Sequence, residues 1–283
     1  MLYPLFGRLR LPKLRYAREH SFSLSGINIR FAMPPMSTKW GTQRQYRQKF
    51  NLYNKEDYVR ENDPTPFISC FSTEWDAKGV FFFQEDKGAM PLYVSASHWK
   101  GGGNLFRPRD MEFMLEQDDT DEYSDLEAYP GTVKTFLDWQ PVMINGNQWL
   151  NYTIETDLGR ISHMHVWVIP VTDQHFLTFS FPTENHKERP GVDEAMKAFC
   201  TELMQSVRIE WPEHVLQMKA DAEKQWPGEH YSPHKEPLIW EREPEEVNLL
   251  DQEPTPEEQA LWDKLDDEAE EKGEYDPVLG KRL

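Results

Sequence analysis

Two histidines form the pattern in this sequence that comes nearest to catalytic chemistry. His163 and His165 are separated by one residue inside a segment with strand-like alternation. Side chains two residues apart point to the same side of a β-strand, so both imidazoles can face one metal ion. Ile161, Trp167 and Ile169 share that side, which is typical of a packing surface. The sequence leaves two hypotheses open: a metal site at His163 and His165, or a structural histidine pair.

Motifs of the common enzyme classes are missing from the rest of the chain. We find no phosphate-binding P-loop, no Gly-x-Ser-x-Gly elbow and no dinucleotide glycine fingerprint. Cys70 and Cys200 lie among apolar neighbours without metal or redox spacing, which indicates buried free thiols in a reducing compartment. We therefore expect no cofactor, and the sequence favours binding over catalysis.

Aromatic and apolar side chains provide a second kind of candidate, a protein-binding surface. The chain has ten Trp residues, more than one modest core usually needs, and Trp is preferred at protein interfaces. The predicted partner-binding residues are Trp149, Trp167, Leu261, Trp262 and Leu265.

The last three of these residues belong to a predicted helix near residues 256–271. Thr255 is a suitable N-cap, Pro256 occupies the first helical position and Glu258 completes a capping box. Helices of this length are marginal when isolated in water. We therefore expect this helix to pack on the domain or to fold onto a partner.

The elements that must position these candidates form an antiparallel meander followed by a helix. Asn145-Gly146 separates two strand-like runs and is a strong signal for a tight hairpin. Two further strands follow, over residues 160–170 and 175–181. From Val192 the apolar residues recur with a helical period, and residues 206–211 return to alternation. This pattern predicts an α+β fold, an antiparallel sheet covered by helices.

An acidic stretch over residues 118–127 is predicted to be a solvated loop. It follows residues 109–116, which are compatible with one or two helical turns. Its carboxylates lack the spacing and the central glycine of a calcium-binding loop.

Composition and charge divide the chain into three parts. Hydrophobic residues make up 38% of the chain and the net charge is −18, with basic residues concentrated at the start and acidic residues at the end. We predict a basic N-terminal arm over residues 1–20, an α+β domain over 21–212, and an extended acidic Pro/Glu-rich tail over 213–283. An acidic chain repels phosphates, so we expect no nucleic-acid partner. Because no apolar run reaches about 20 residues and no secretory signal is present, we expect no membrane span and a cytoplasmic location.

One combination of motifs resembles a known family. Asn145-Gly146, Trp149 and Tyr152, then a hairpin and a helix ending at residues 206–209, are similar to the PsbP-like superfamily. That group includes DcrB-like bacterial proteins and the Eag chaperones of type VI secretion effectors. The resemblance extends over roughly residues 20–212. It implies an α/β/α sandwich of PsbP-like type that binds another protein and has no catalytic centre.

From these observations we expect a non-catalytic protein-binding protein. It would be an adaptor or chaperone, or an immunity protein, linked to a bacterial secreted toxin or secretion system. Its partner would be a basic or hydrophobic segment of a toxin or effector. The alternative is a metal-dependent enzyme that uses His163 and His165.

Overall fold

A large and mostly antiparallel sheet forms the centre of the structure, which is a computed structural model. The structure describes residues 9–36, 43–79, 86–124, 131–157, 160–186, 191–242, 275–276 and 281–282. In chain order the strands are β1 (Leu9–Arg10), β2 (Arg18–Leu24), β3 (Ile27–Met33), β4 (Arg44–Gln45), β5 (Lys49–Phe50), β6 (Phe67–Gly79), β7 (Asp86–His98), β8 (Gly131–Ile144), β9 (Asn147–Asp157), β10 (Ile161–Pro170), β11 (His175–Asn185), β12 (Arg208–Glu210), β13 (Leu238–Arg242), β14 (Tyr275–Asp276) and β15 (Lys281–Arg282). The helices are α1 (Pro108–Tyr123), α2 (Val192–Met204) and α3 (Glu213–Gln225), and short 3-10 helices cover Leu14–Tyr16 and Lys55–Asp57.

The strands of the described part form two main sheets. The large sheet has nine strands in the order β1-β6-β7-β11-β10-β9-β8-β13, with β4 also paired to β6. The small sheet has four strands in the order β12-β3-β2-β5. Strands β8 to β11 pair antiparallel in succession, which confirms the predicted meander. Asn145 and Gly146 both have positive φ in the β8–β9 turn, as a tight hairpin of this kind requires.

Both faces of the large sheet are covered. On one face α1 packs Met111, Met114 and Leu115 against apolar side chains of β8 to β11. On the other face lie α2 and the apolar side of the small sheet. Three α-helices within the described residues accompany the sheets, so the predicted combination of antiparallel sheet and helices is confirmed. In the predicted α/β/α sandwich both outer layers would be helical. In the structure one outer layer consists of α2 together with the small sheet.

Helix α2 covers the sheet where the sequence predicted a helix. Its residues Met196, Phe199 and Leu203 are buried at helical spacing against the core. Gly191 precedes the helix with a φ of 78°, a conformation that costs glycine little. The indole of Trp75 meets the Phe199 ring edge-to-face at 5.3 Å, which joins α2 to β6.

The compact unit continues beyond residue 212, where the sequence suggested that the tail begins. This unit comprises residues 1–127 and 131–241. Helix α3 buries Val215 in the core, and the ammonium of Lys219 lies 3.2 Å from the centre of the Trp211 ring. Strand β13 extends the large sheet beside β8. At the other end, strand β2 begins at Arg18, inside the predicted arm.

The remaining residues, 128–130 and 242–283, form a second unit. Within it the described residues are Arg242, the last residue of β13, and the antiparallel pair β14 and β15. The predicted terminal helix, with Leu261, Trp262 and Leu265, lies outside the described residues. In the part of the chain that the structure describes, no helix is long and apolar enough to cross a bilayer.

Candidate functional site

His163 and His165 lie side by side on β10, as the sequence predicted. Their ring centroids are 6.3 Å apart and the ring planes are parallel within 1°. His165 is 4% exposed; its Nδ1 shares a hydrogen bond with the Thr153 hydroxyl, and its Nε2 has no hydrogen-bond partner. His163 Nε2 lies 3.4 Å from a carboxylate oxygen of Glu155. The pair therefore lies on the face of the sheet that α2 covers, the same face as Trp167 and Ile169.

The surroundings of His165 favour its neutral form. Burial, together with the nearby charges of Lys197 and His163, lowers the pKa of this imidazole to about 4, against the opposing charge of Asp138. Among the described residues no three His, Cys, Asp or Glu side chains are placed to hold a metal ion together.

Zinc is expected to change the unfolding temperature of the wild-type protein and of a His165→Ala variant by the same amount. A specific site at 100 times its Kd would stabilise only the wild type, by about 2.7 kcal/mol. Differential scanning calorimetry with and without zinc measures the difference, and a variant at the exposed His234 serves as the control. Selective stabilisation of the wild type would support the metal-enzyme alternative.

Trp149 and Trp167, predicted to bind a partner, are core residues in the structure. Trp149 is 0% exposed and Trp167 is 3% exposed. Their rings pack edge-to-face on Phe179 at 5.9 Å and on Phe181 at 5.5 Å. Neither indole offers surface to a partner, so neither is part of the site proposed below.

A cleft of about 570 Å³ lies between α1, the loop over residues 60–65 and the large sheet. We call it the α1 cleft. Its floor carries hydroxyl side chains from two neighbouring strands, Ser95 and Ser97 on β7 and Thr178 and Ser180 on β11. Its apolar and aromatic lining residues are Phe67, Leu115, Tyr123, Tyr152, Ile154, Met164, Val166 and Phe176.

One wall of the α1 cleft is acidic. Asp118, Asp119, Asp121 and Glu122 line it from the last turns of α1. Asp119 is only 6% exposed, and its Oδ2 has no hydrogen-bond partner. A buried polar atom without a partner is unusual, because it loses its water without gaining a new bond.

The carboxyl groups inside the α1 cleft are difficult to ionise. Burial raises the pKa of Asp118 to about 6, although the Thr65 hydroxyl opposes this effect. Burial, followed by the charge of Asp118, raises the pKa of Asp119 well above its ordinary value, against the lowering effects of Thr135 and Lys235. A positive group inside the cleft would favour the ionised form of both.

Arg60 stands at the mouth of the cleft. Its guanidinium lies 3.7 Å from a carboxylate oxygen of Glu122 and 4.0 Å from one of Asp63. Arg60 has a φ of 55°, which is uncommon for a residue with a side chain. The ion pair with Glu122 links the loop over residues 60–65 to α1 at the rim and leaves Asp118 and Asp119 inside.

The prediction of a solvated loop is wrong for residues 118–123, which are the last residues of α1. The buried positions of α1 begin at Met111, Met114 and Leu115, and the same spacing continues to Asp118 and Asp119. These two acids therefore occupy positions that apolar residues normally fill on an amphipathic helix. This helical spacing of Asp118 and Asp119 with the buried apolar residues is the feature of the sequence that could have identified the acidic wall of the cleft. Residues 125–127 lie outside the described residues.

Comparisons with known proteins give weak similarities. The chain matches no protein-family model, and no curated protein matches its sequence. Cyanobacterial PsbP (CyanoP) from Synechocystis sp. PCC 6803 has a similar structure at a TM-score of 0.34 and 11% identity, over 64% of this chain and 86% of that one. LpqN, involved in cell envelope biogenesis of Mycobacterium tuberculosis, reaches 0.31 and 11%, over 69% and 91%. A PsbP-type protein is thus among the structural neighbours, whereas the narrower DcrB-like and Eag-type resemblance finds no support in these comparisons.

Proposed function

We propose that this protein is a non-catalytic binding protein that receives a segment of a partner protein in the α1 cleft. The observation that carries the proposal is the open cleft, with its hydroxyl floor and its acidic wall. Its volume of about 570 Å³ lies within the range of about 300–1,000 Å³ that is usual for specific ligand pockets. A pocket of this size accommodates one or two side chains of a docked segment.

The lining of the cleft agrees with the partner class expected from the sequence. Hydroxyls of Ser95 and Ser180 can hydrogen-bond to the backbone of an extended segment, while Tyr152 and Phe176 contact its apolar side chains. The carboxylates of α1 favour a basic partner and speed its association. We propose an adaptor, a chaperone or an immunity protein that acts on a basic toxin or effector segment.

We further propose that the protein works in the reducing environment of the cytoplasm. Cys70 and Cys200 are both buried and free. Burial raises the pKa of the Cys70 thiol to about 12, so that the thiol stays protonated and unreactive. This state of the thiols supports a structural role that needs no oxidising compartment.

Replacing Ser95 with phenylalanine is expected to reduce capture of the partner about tenfold, because the ring fills the floor of the cleft and removes about 1.4 kcal/mol of binding free energy or more. Aromatic residues are well tolerated in strands, so the sheet should remain intact. The measurement is a quantitative pull-down from the native host with wild-type and variant protein at equal concentration.

The matched control for that experiment is Ser21→Phe, a change on the exposed side of β2 in the small sheet. Circular dichroism and urea unfolding must show that both variants are folded. Equal capture of the same partner by wild type, Ser95→Phe and Ser21→Phe would contradict the proposed function.

A further inference from the structure

We propose that the α1 cleft binds an organic cation, such as the ammonium of a lysine side chain, with Asp119 as its counter-ion. This inference rests on the proposed function and names the group of the partner that the cleft recognises. It depends on the charge of the lining, on the unpaired oxygen of Asp119, and on the aromatic rings beside it.

The charges that line the cleft are unbalanced. Its described lining residues include five acidic side chains, and Arg60 carries the cationic group. Arg60 lies within 4.0 Å of Asp63 and Glu122 at the rim, so it leaves the inner acids without a counter-ion. Lys235 is the other nearby cation, and it forms an ion pair with Glu116. Lys235 and the Thr135 hydroxyl lower the pKa of Asp119 but do not outweigh its burial, so a ligand that enters the cleft meets carboxyl groups that are only partly compensated.

Asp119 supplies a specific bonding position. Its side chain lines the cleft while its Oδ2 has no hydrogen-bond partner, at 6% exposure of the residue. Burying such an oxygen without a bond is unfavourable, because the oxygen loses its water and gains no partner. A donor that arrives with a ligand recovers this cost, and a positively charged donor recovers more.

The shape of the site favours an organic cation over a metal ion. Asp118 and Asp119 are consecutive on a helix, where neighbouring side chains diverge by about 100°, so they are poorly placed to chelate one ion. One carboxylate is sufficient for an ammonium group if aromatic faces surround the rest of it. Tyr152, Tyr123 and Phe176 line the same cleft. The alkyl stem of a lysine can contact these rings while its ammonium meets Asp119.

The test compares two small probes that differ in one charged group. N-acetyl-lysine methylamide and its neutral counterpart N-acetyl-norleucine methylamide are titrated into the full chain, followed by NMR of backbone amides. We expect the lysine probe to shift signals of Ser95, Thr178 and Tyr152 and to bind about tenfold more tightly than the neutral probe, a difference of one ion pair. Equal affinity for the two probes would overturn the inference without any variant.

Two variants locate the interaction. Asp119→Asn keeps the shape of the side chain, and we expect it to remove the preference for the lysine probe. Asp221→Asn is the matched control, since Asp221 is an exposed acid on α3. An unchanged preference in Asp119→Asn would contradict the role of Asp119.

The same variants separate this inference from the proposed function. Partner capture that is lost in Ser95→Phe but unchanged in Asp119→Asn would keep the cleft as the docking site and reject the cation. Capture that is unchanged in both variants would reject the proposed function itself.

Discussion

Trp149→Ala is expected to lower the free energy of unfolding by about 3–5 kcal/mol, the usual cost of deleting a large buried aromatic side chain. The indole of Trp149 is fully buried and packs on Phe179, in the core between the large sheet and the layer formed by α2 and the small sheet. Alanine removes its transfer free energy and leaves a cavity that β9 cannot close, because both neighbouring strands hold it in register. Urea unfolding followed by circular dichroism measures the change.

Phe113→Ala is the control for this experiment. Phe113 is 55% exposed on the outer side of α1, so its removal should change the free energy of unfolding by about 0.5 kcal/mol or less. A Trp149→Ala variant as stable as the wild type, but unable to capture the partner, would restore Trp149 to the binding surface that the sequence suggested.

Asp119→Asn is expected to raise the free energy of unfolding at pH 8 by about 1–3 kcal/mol, with the gain shrinking towards pH 4. The folded protein raises the pKa of Asp119 well above its ordinary value of 3.8, chiefly by burial. The folded state therefore binds the proton more tightly than the unfolded chain does. Wild-type stability is greatest below pH 3.8 with respect to this group, and it falls as the pH rises towards the folded pKa. Asparagine has no proton to lose and escapes that penalty.

Urea unfolding of wild type and variant from pH 4 to pH 8 tests this expectation. Buried histidines act in the opposite direction: burial lowers the pKa values of His165 and His175 to about 4, so their contribution is lost as the pH falls from 6.5. Both histidines are present in both proteins and cancel in the difference. Asp221→Asn should show no comparable gain at pH 8. If the difference in free energy of unfolding between wild type and Asp119→Asn stays constant from pH 4 to pH 8, the folded protein does not raise the pKa of Asp119.

If the Asp119→Asn variant is more stable than the wild type but binds less well, binding is the reason for an acid at position 119. Residues that serve a site often reduce the stability of the fold. Asparagine at position 119 would raise the free energy of unfolding of the free protein, but it would remove the counter-ion of the bound cation. Stability and recognition would then have opposite requirements at this one side chain.

Local patterns predicted the central meander and α2 because their signals lie within short segments. Asn145-Gly146 defines a tight turn by itself, and the spacing of Met196, Phe199 and Leu203 defines a helix face. The pairing of β7 with β11 has no such signal, since these strands are far apart in sequence and alternate in similar ways. The floor of the α1 cleft depends on that pairing and could not be predicted.

The acidic wall was missed for a different reason. An acid-rich stretch is usually solvated, and at Asp118 and Asp119 this general tendency outweighed the helical phase set by Met111, Met114 and Leu115. Helix α3, which belongs to the first compact unit, had no clear sequence signal because it is short and largely polar. The burial of Val215 and the contact between Lys219 and Trp211 involve residues outside the periodic pattern. The histidine pair was placed correctly on one side of β10, since a strand period of two determines it.

A growing chain makes β3 long before it makes β12, although the two strands are neighbours in the folded protein. Arg30 and Glu210, which form an ion pair across them, are 180 positions apart. At about 5–20 residues per second, roughly 10–35 s separate their synthesis. Throughout that time the apolar side of the β2–β3 hairpin, with Ile29 and Phe31, lacks both β12 and α2. Self-association of this nascent hairpin therefore competes with folding, and slower translation lengthens the interval in which it can occur.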